Sequence, residues 1–154
     1  MDVDIGISEA SRKEIGEALA RLLADTYALY LKTQNYHWNV VGPRFRELHL
    51  MFEQQYRELG EATDEIAERV RILGFWAPAT FAELSRLTSF PEEEGTPNAE
   101  AMVRKLLEGH ESVLRTAREI LDLAEKAGDH GTVDLLAERI ARHEKAGWML
   151  AASV

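Results

Sequence analysis

An all-α fold, four long helices joined as two hairpins by one long crossover, is what this sequence predicts, and three observations carry the prediction. Four long segments repeat their apolar residues at helical period, and no segment sustains the apolar/polar alternation of a half-buried strand. The Gly and Pro punctuation falls into two short breaks and one long one. With 154 residues, 45% of them hydrophobic, the chain has the size of a single domain (1–154) and enough apolar surface for a real core.

After a short tail (1–8), the first helix is expected from about Glu9 to Trp38, with Ser8 or Ser11 as N-cap. Ser11 with Glu14 makes a capping box, and Ile15, Leu19, Leu22 and Leu29 share one face. Gly42-Pro43 then forces a tight turn. The second helix runs from Arg44 to about Leu73, its inner stripe being Leu48, Phe52, Gln55, Leu59, Ala62, Ile66 and Leu73. A connection of about 24 residues, Gly74 to Asn98, is too long for a hairpin link. It holds three of the four prolines and a short helix whose capping box is Thr80 with Glu83. The third long helix (about Ala99 to Ala127) starts from Asn98 and stops at Gly128, and the last (about His130 to Ala152) starts from Asp129. A four-helix bundle with a single crossover is the ferritin-like arrangement. The chain has no internal repeat or low-complexity tract.

A formal net charge of −9 favours cations as partners and opposes a whole-surface grip on nucleic acid or anionic lipid. With no cysteine, disulfides, thiolate metal sites and thiol catalysis are excluded, so any metal is held by N and O ligands. Met1-Asp2-Val3-Asp4 is acidic where a secretory signal is basic, and no apolar run approaches the ~18 residues of a membrane span. A cytosolic protein is the expectation.

The residue types that suit such a metal are His37, His49, Glu53, Asp64 and Glu68. Taking His49 as the origin of a helical wheel, Glu53 falls at about 40°, Asp64 at about 60° and Glu68 at about 100°. The apolar stripe centres near 250°, so these groups point away from the bundle core. His37 is carried back beside His49 by the Gly42-Pro43 turn. Along the axis, however, His49 is about 22 Å from Asp64 and about 28 Å from Glu68, and no single ion spans that. If the groups share a metal, the two ends of the row belong to different subunits packed antiparallel about a two-fold axis, giving two sites per dimer. Gly60, at about 20° in mid-helix, costs about 1 kcal/mol relative to Ala and suggests close backbone approach there. Imidazole with carboxylate suits Fe(II), Mn or Zn by ligand type. An inward di-iron site of the Glu-x-x-His kind is absent, since no histidine has Glu three residues before it. The competing interpretation is a solvated acidic surface with incidental histidines.

The run Lys32-Thr33-Gln34-Asn35-Tyr36-His37-Trp38-Asn39-Val40, with Gly42-Pro43, Phe45, Leu48-His49, Phe52-Glu53 and Asp64-Glu65-Ile66-Ala67-Glu68-Arg69, closely resembles the Dps family, the miniferritins named for a DNA-binding protein of starved cells. The resemblance extends over nearly the whole chain. It implies a dodecameric shell built from two-fold dimers, oxidation of Fe(II) by hydrogen peroxide at inter-subunit sites, and storage of ferric iron inside, protecting DNA from oxidative damage. It carries the iron-ligand role onto His37, His49, Asp64 and Glu68, with Glu53 at a second, weaker iron position. Gln34 departs from the histidine of many members, at a position not usually counted as a ligand. Trp38 resembles the family's tryptophan beside the iron centre, a trap for stray oxidising equivalents, and serves equally well as an interface anchor.

The resemblance also places the turn between the third and fourth long helices at a three-fold axis, where Glu125, Asp129 and Asp134 fit an acidic iron-entry pore. Asp129 has an equally good role as a helix cap. His110 and His143 are isolated positions to which no chemistry is assigned. Direct DNA binding in the family rests on a lysine-rich tail; here no Lys precedes Lys13 and no basic residue follows Trp148. Weak or absent DNA binding is therefore expected, the alternatives being an architectural DNA-compacting cage and a plain helical scaffold.

Overall fold

A computed structural model describes residues 3–154; Met1 and Asp2 of the acidic tail lie outside the described residues. Five helices follow one another: α1 (Glu9–Asn39), α2 (Phe45–Ile72), the short α3 (Phe81–Leu87), α4 (Ala99–Lys126) and α5 (His130–Ala151). The order is that of two helical hairpins separated by a crossover, as the sequence predicts.

Local chemistry sets the ends. Ser8, not Ser11, caps α1: its hydroxyl accepts from the Ser11 amide at 3.2 Å, so Ser11 lies inside the first turn and its box with Glu14 is not the one used. Thr80 and Glu83 form the reciprocal capping box of α3, and the side chains of Asn98 and Asp129 cap α4 and α5. Gly74 (φ +99°) and Gly128 (φ +69°) leave α2 and α4 through left-handed backbone that a side chain would strain.

α1 packs along α2 and α4 along α5, and α1 also packs on α4 to close the bundle. Ile15, Leu19, Leu22 and Leu29 on α1 meet Phe52, Leu59 and Ile66 on α2 in one core with Leu106 and Leu136, all at 1% exposure or less. Each such side chain contributes about 1.5–3 kcal/mol by leaving water. α2 and α5 run antiparallel: Arg69 bonds Asp129 and Thr132 at one end, while Glu58 pairs with Arg139 further along. The crossover is pinned to α1 by polar contacts. The buried Asp25 carboxylate accepts from the Thr88 hydroxyl (2.8 Å), the Ser89 amide (2.7 Å) and the Ser89 hydroxyl (2.9 Å). Further on, Glu93 accepts from the buried Tyr36 hydroxyl and pairs with Lys105. Among the described residues no helix is long and apolar enough to cross a membrane.

Candidate metal centre

The last turn of α1 and the first of α2 build one half of a site. Val40 ends α1 in extended backbone, Gly42 turns at φ +119°, and the Phe45 amide closes the turn on the Gly42 carbonyl at 3.0 Å. The chain reversal stacks the His37 and His49 rings, centroids 3.9 Å apart and 13° from parallel. The two residues bond reciprocally: His37 Nδ1 lies 2.7 Å from the His49 carbonyl, and His49 Nδ1 2.7 Å from the His37 carbonyl. A carbonyl only accepts, so each Nδ1 carries a proton, and in the neutral ring the lone pair is on Nε2. That is the arrangement in which backbone carbonyls orient imidazoles as metal ligands. Phe45 stacks on His49 at 4.9 Å, and Tyr56 meets His37 edge-on at 5.2 Å. His37 is buried at 7% exposure.

Glu53 follows one turn after His49. Its carboxylate accepts from Arg57 at 2.9 Å, and that hydrogen bond, with the charge of Arg57 behind it, holds it below the usual carboxylate range. Asp64 and Glu68 are exposed on the same unbroken helix, four and five turns on. The structure thus unites His37 with His49, sets Glu53 beside them, and leaves Asp64 and Glu68 at the far end of the stripe. Among the described residues, no three His, Asp or Glu side chains of one chain converge as a metal site.

Other residues take places that the sequence did not indicate. Gly60 packs against a side chain of its own chain: a Cβ there would stand 3.2 Å from Tyr30 Cε2. Trp38 is 63% exposed beside the site, and Tyr56 supplies the ring that meets His37. Glu125 and Asp134 are exposed near the α4–α5 turn. Asp129 is 1% exposed: Oδ1 takes Arg69 Nη2 (2.5 Å) and the Thr132 amide (3.0 Å), and Oδ2 takes the Thr132 hydroxyl (2.5 Å). The cap role describes Asp129, whose oxygens are bonded within the chain.

His110 and His143 are not isolated. Their Nδ1 atoms are 2.8 Å apart, both rings are buried, and Arg139 Nη2 reaches His143 Nε2 at 3.2 Å while pairing with Glu58. The guanidinium only donates, so His143 holds its proton on Nδ1 and gives it to His110 Nδ1. His110 is then protonated on Nε2, which has no partner among the described residues. Burial pushes both imidazoles below their ordinary range, His110 to about 4.

Comparison with known proteins gives the family. A ferritin-like domain model matches residues 16–154. A low temperature-induced protein of Nostoc sp. is 39% identical over 150 residues, which cover 96% of this chain and 84% of that one. DNA protection during starvation protein 2 of Bacillus anthracis is 36% identical over 140 residues, covering 91% of this chain and 96% of that one. The crystal structure of the Dps protein of Vibrio cholerae O1, described as one of the ferritin-like diiron-carboxylate proteins, aligns with a TM-score of 0.93 at 33% identity, over 99% of this chain and 96% of its own. With the fold and the matched length in agreement, the chain belongs to the Dps family of ferritin-like proteins.

Proposed function

We propose that the protein is a ferroxidase and iron store: it oxidises Fe(II) with hydrogen peroxide at sites shared between two subunits and retains ferric mineral inside a dodecameric shell, in the cytoplasm. The carrying observation is the His37–His49 pair, whose Nδ1 atoms are fixed by carbonyls and whose Nε2 atoms are left as donors to a metal. Two imidazoles alone are an incomplete iron site. Asp64 and Glu68 are carboxylates of the same stripe with no ion pair among the described residues, and an antiparallel two-fold copy of α2 would set residue 49 near residues 66–68 of its mate. Each shared site then holds His37 and His49 of one subunit with Asp64 and Glu68 of the other, with Glu53 beside a second, weaker iron position. Imidazole and carboxylate suit Fe(II) and stabilise the Fe(III) product. Two ferrous ions, one peroxide and two protons give two ferric ions and two waters, so no hydroxyl radical is released.

Glu125 and Asp134, repeated around a three-fold axis, would draw Fe(II) inward, with Asp129 buried behind them as the cap of α5. The names of several relatives speak of DNA protection. Removal of iron and peroxide gives that protection without contact, and a net charge of −9 opposes direct binding. The test is His37→Ala with His49→Ala. Light scattering should report an unchanged particle mass, while peroxide-dependent Fe(II) oxidation falls toward the rate in buffer. Unchanged oxidation kinetics in that variant remove the assignment.

A further inference from the structure

Three tyrosines connect the two ends of the outward stripe. From His37 the contacts run to Tyr56 (ring centroids 5.2 Å, edge-on), from Tyr56 to Tyr30 (5.9 Å, edge-on) and from Tyr30 to Tyr27 (5.6 Å, tilted). Tyr27 in turn lines the same groove as Gly60 and Asp64. Gly60 leaves room for the middle step, since a Cβ there would press on Tyr30 Cε2 at 3.2 Å, and the Gln34 amide reaches the Tyr30 oxygen at 3.4 Å. The series therefore begins at the imidazole half of one centre and ends beside the carboxylate half that the same subunit lends to the other centre. The ring contacts alone would be met by phenylalanine; a phenol, unlike a phenyl ring, is readily oxidised by one electron with loss of its proton.

We infer that Tyr56, Tyr30 and Tyr27 form a redox relay that couples the two iron centres of a dimer, so that two ferrous ions held in different centres reduce one peroxide. This rests on the inter-subunit reading of the site. When a centre holds a single Fe(II), that ion gives peroxide one electron, breaking the O–O bond to leave Fe(III), hydroxide and an oxidant at the level of hydroxyl radical. Tyr56 supplies the missing hydrogen atom: its O–H bond breaks, the oxidant becomes water, and a tyrosyl radical remains. Tyr30 then restores Tyr56 by giving up its own electron and proton, and Tyr27 restores Tyr30. The Tyr27 radical takes an electron from Fe(II) at the other centre and a proton from solvent, leaving Fe(III) and intact tyrosine. The sum is again two Fe(II), one peroxide and two protons to two Fe(III) and two waters.

The test loads the assembled protein with one Fe(II) per centre and mixes it with limiting peroxide. Freeze-quench electron paramagnetic resonance follows the radical, and a nitrone spin trap follows escaping hydroxyl radical. The wild type should show a transient tyrosyl signal, little trapped adduct and two Fe(II) consumed per peroxide. Tyr30→Phe keeps the ring and cuts the path: the consumption ratio should fall about twofold, toward one, and the trapped adduct should rise. Tyr27→Phe, altering a half-exposed ring, should instead lengthen the life of the radical. Wild-type ratio, adduct yield and radical lifetime in both variants, with oxidation intact, overturn the relay and leave the centre standing. A wild type that does not accelerate Fe(II) oxidation overturns the centre, and the relay with it.

Discussion

The buried histidine pair predicts a specific acid sensitivity. His110 and His143 are 2% and 1% exposed and held neutral by burial, with Arg139 adding a positive charge beside them. In the unfolded chain both titrate near 6.5, while folded His110 titrates near 4. The unfolded state therefore binds more protons across that interval, and stability falls as pH drops from about 6.5 toward about 4. For His110 alone the loss is about 3 kcal/mol, at roughly 1.4 kcal/mol per pH unit. The carboxylates behave differently. Glu53 and Glu93 have lowered values in the fold, held by hydrogen bonds from Arg57 and Lys105 respectively, so their contribution is present above about 4.5 and lost below it. The imidazole window thus lies on the alkaline side of the carboxylate one. Thermal midpoints measured from pH 7 to pH 4.5 should fall steadily for the wild type. They should stay nearly level for His110→Leu with His143→Leu, which removes both partners together and leaves Arg139 paired with Glu58. Parallel profiles for the two proteins would refute the inference that this pair carries the acid sensitivity.

Other outcomes follow from named contacts. Asp129→Ala removes both the cap of α5 and the partner of a largely buried Arg69, so calorimetry should find a loss of about 3 kcal/mol, or roughly 10 °C in Tm; a shift under 2 °C would exclude the buried pair. Glu125→Gln with Asp134→Asn should slow iron uptake several-fold at low ionic strength and little at high salt, as expected of a field rather than a ligand; equal rates at both would remove the entry role. In a gel-shift at low salt the purified protein should leave duplex DNA unretarded, and avid retention would favour the DNA-compacting alternative.

What was legible in the sequence is what local chemistry dictates. Thr80 with Glu83, Asn98 and Asp129 each satisfy backbone donors within one turn, so the ends of α3, α4 and α5 follow from a few adjacent residues. The first cap was ambiguous because Ser8 and Ser11 offer the same hydroxyl one turn apart. The meeting of His37 and His49 was legible because a single short turn separates them. Pairings between helices were not. Arg69 with Asp129, Arg139 with Glu58, and His110 with His143 join residues 33 to 81 positions apart, and no local pattern encodes them. A trace existed all the same: His110 stands between Leu106 and Val113 on a stripe of buried residues, and His143 follows Ile140 on another. A polar residue on an apolar stripe announces a buried partner. Tyr56 gave no such trace, since its contact with His37 depends on how α1 and α2 cross.

Subunit complementation tests the central claim most directly. Subunits with His37→Ala and His49→Ala lack one half of every site, and subunits with Asp64→Ala and Glu68→Ala lack the other, so shells of either kind alone should oxidise Fe(II) no faster than buffer. Refolded together in equal amounts, half the dimers pair unlike subunits and each of those regains one intact site of two, so about a quarter of wild-type activity should return. A mixture as inactive as its components would contradict a site shared between subunits.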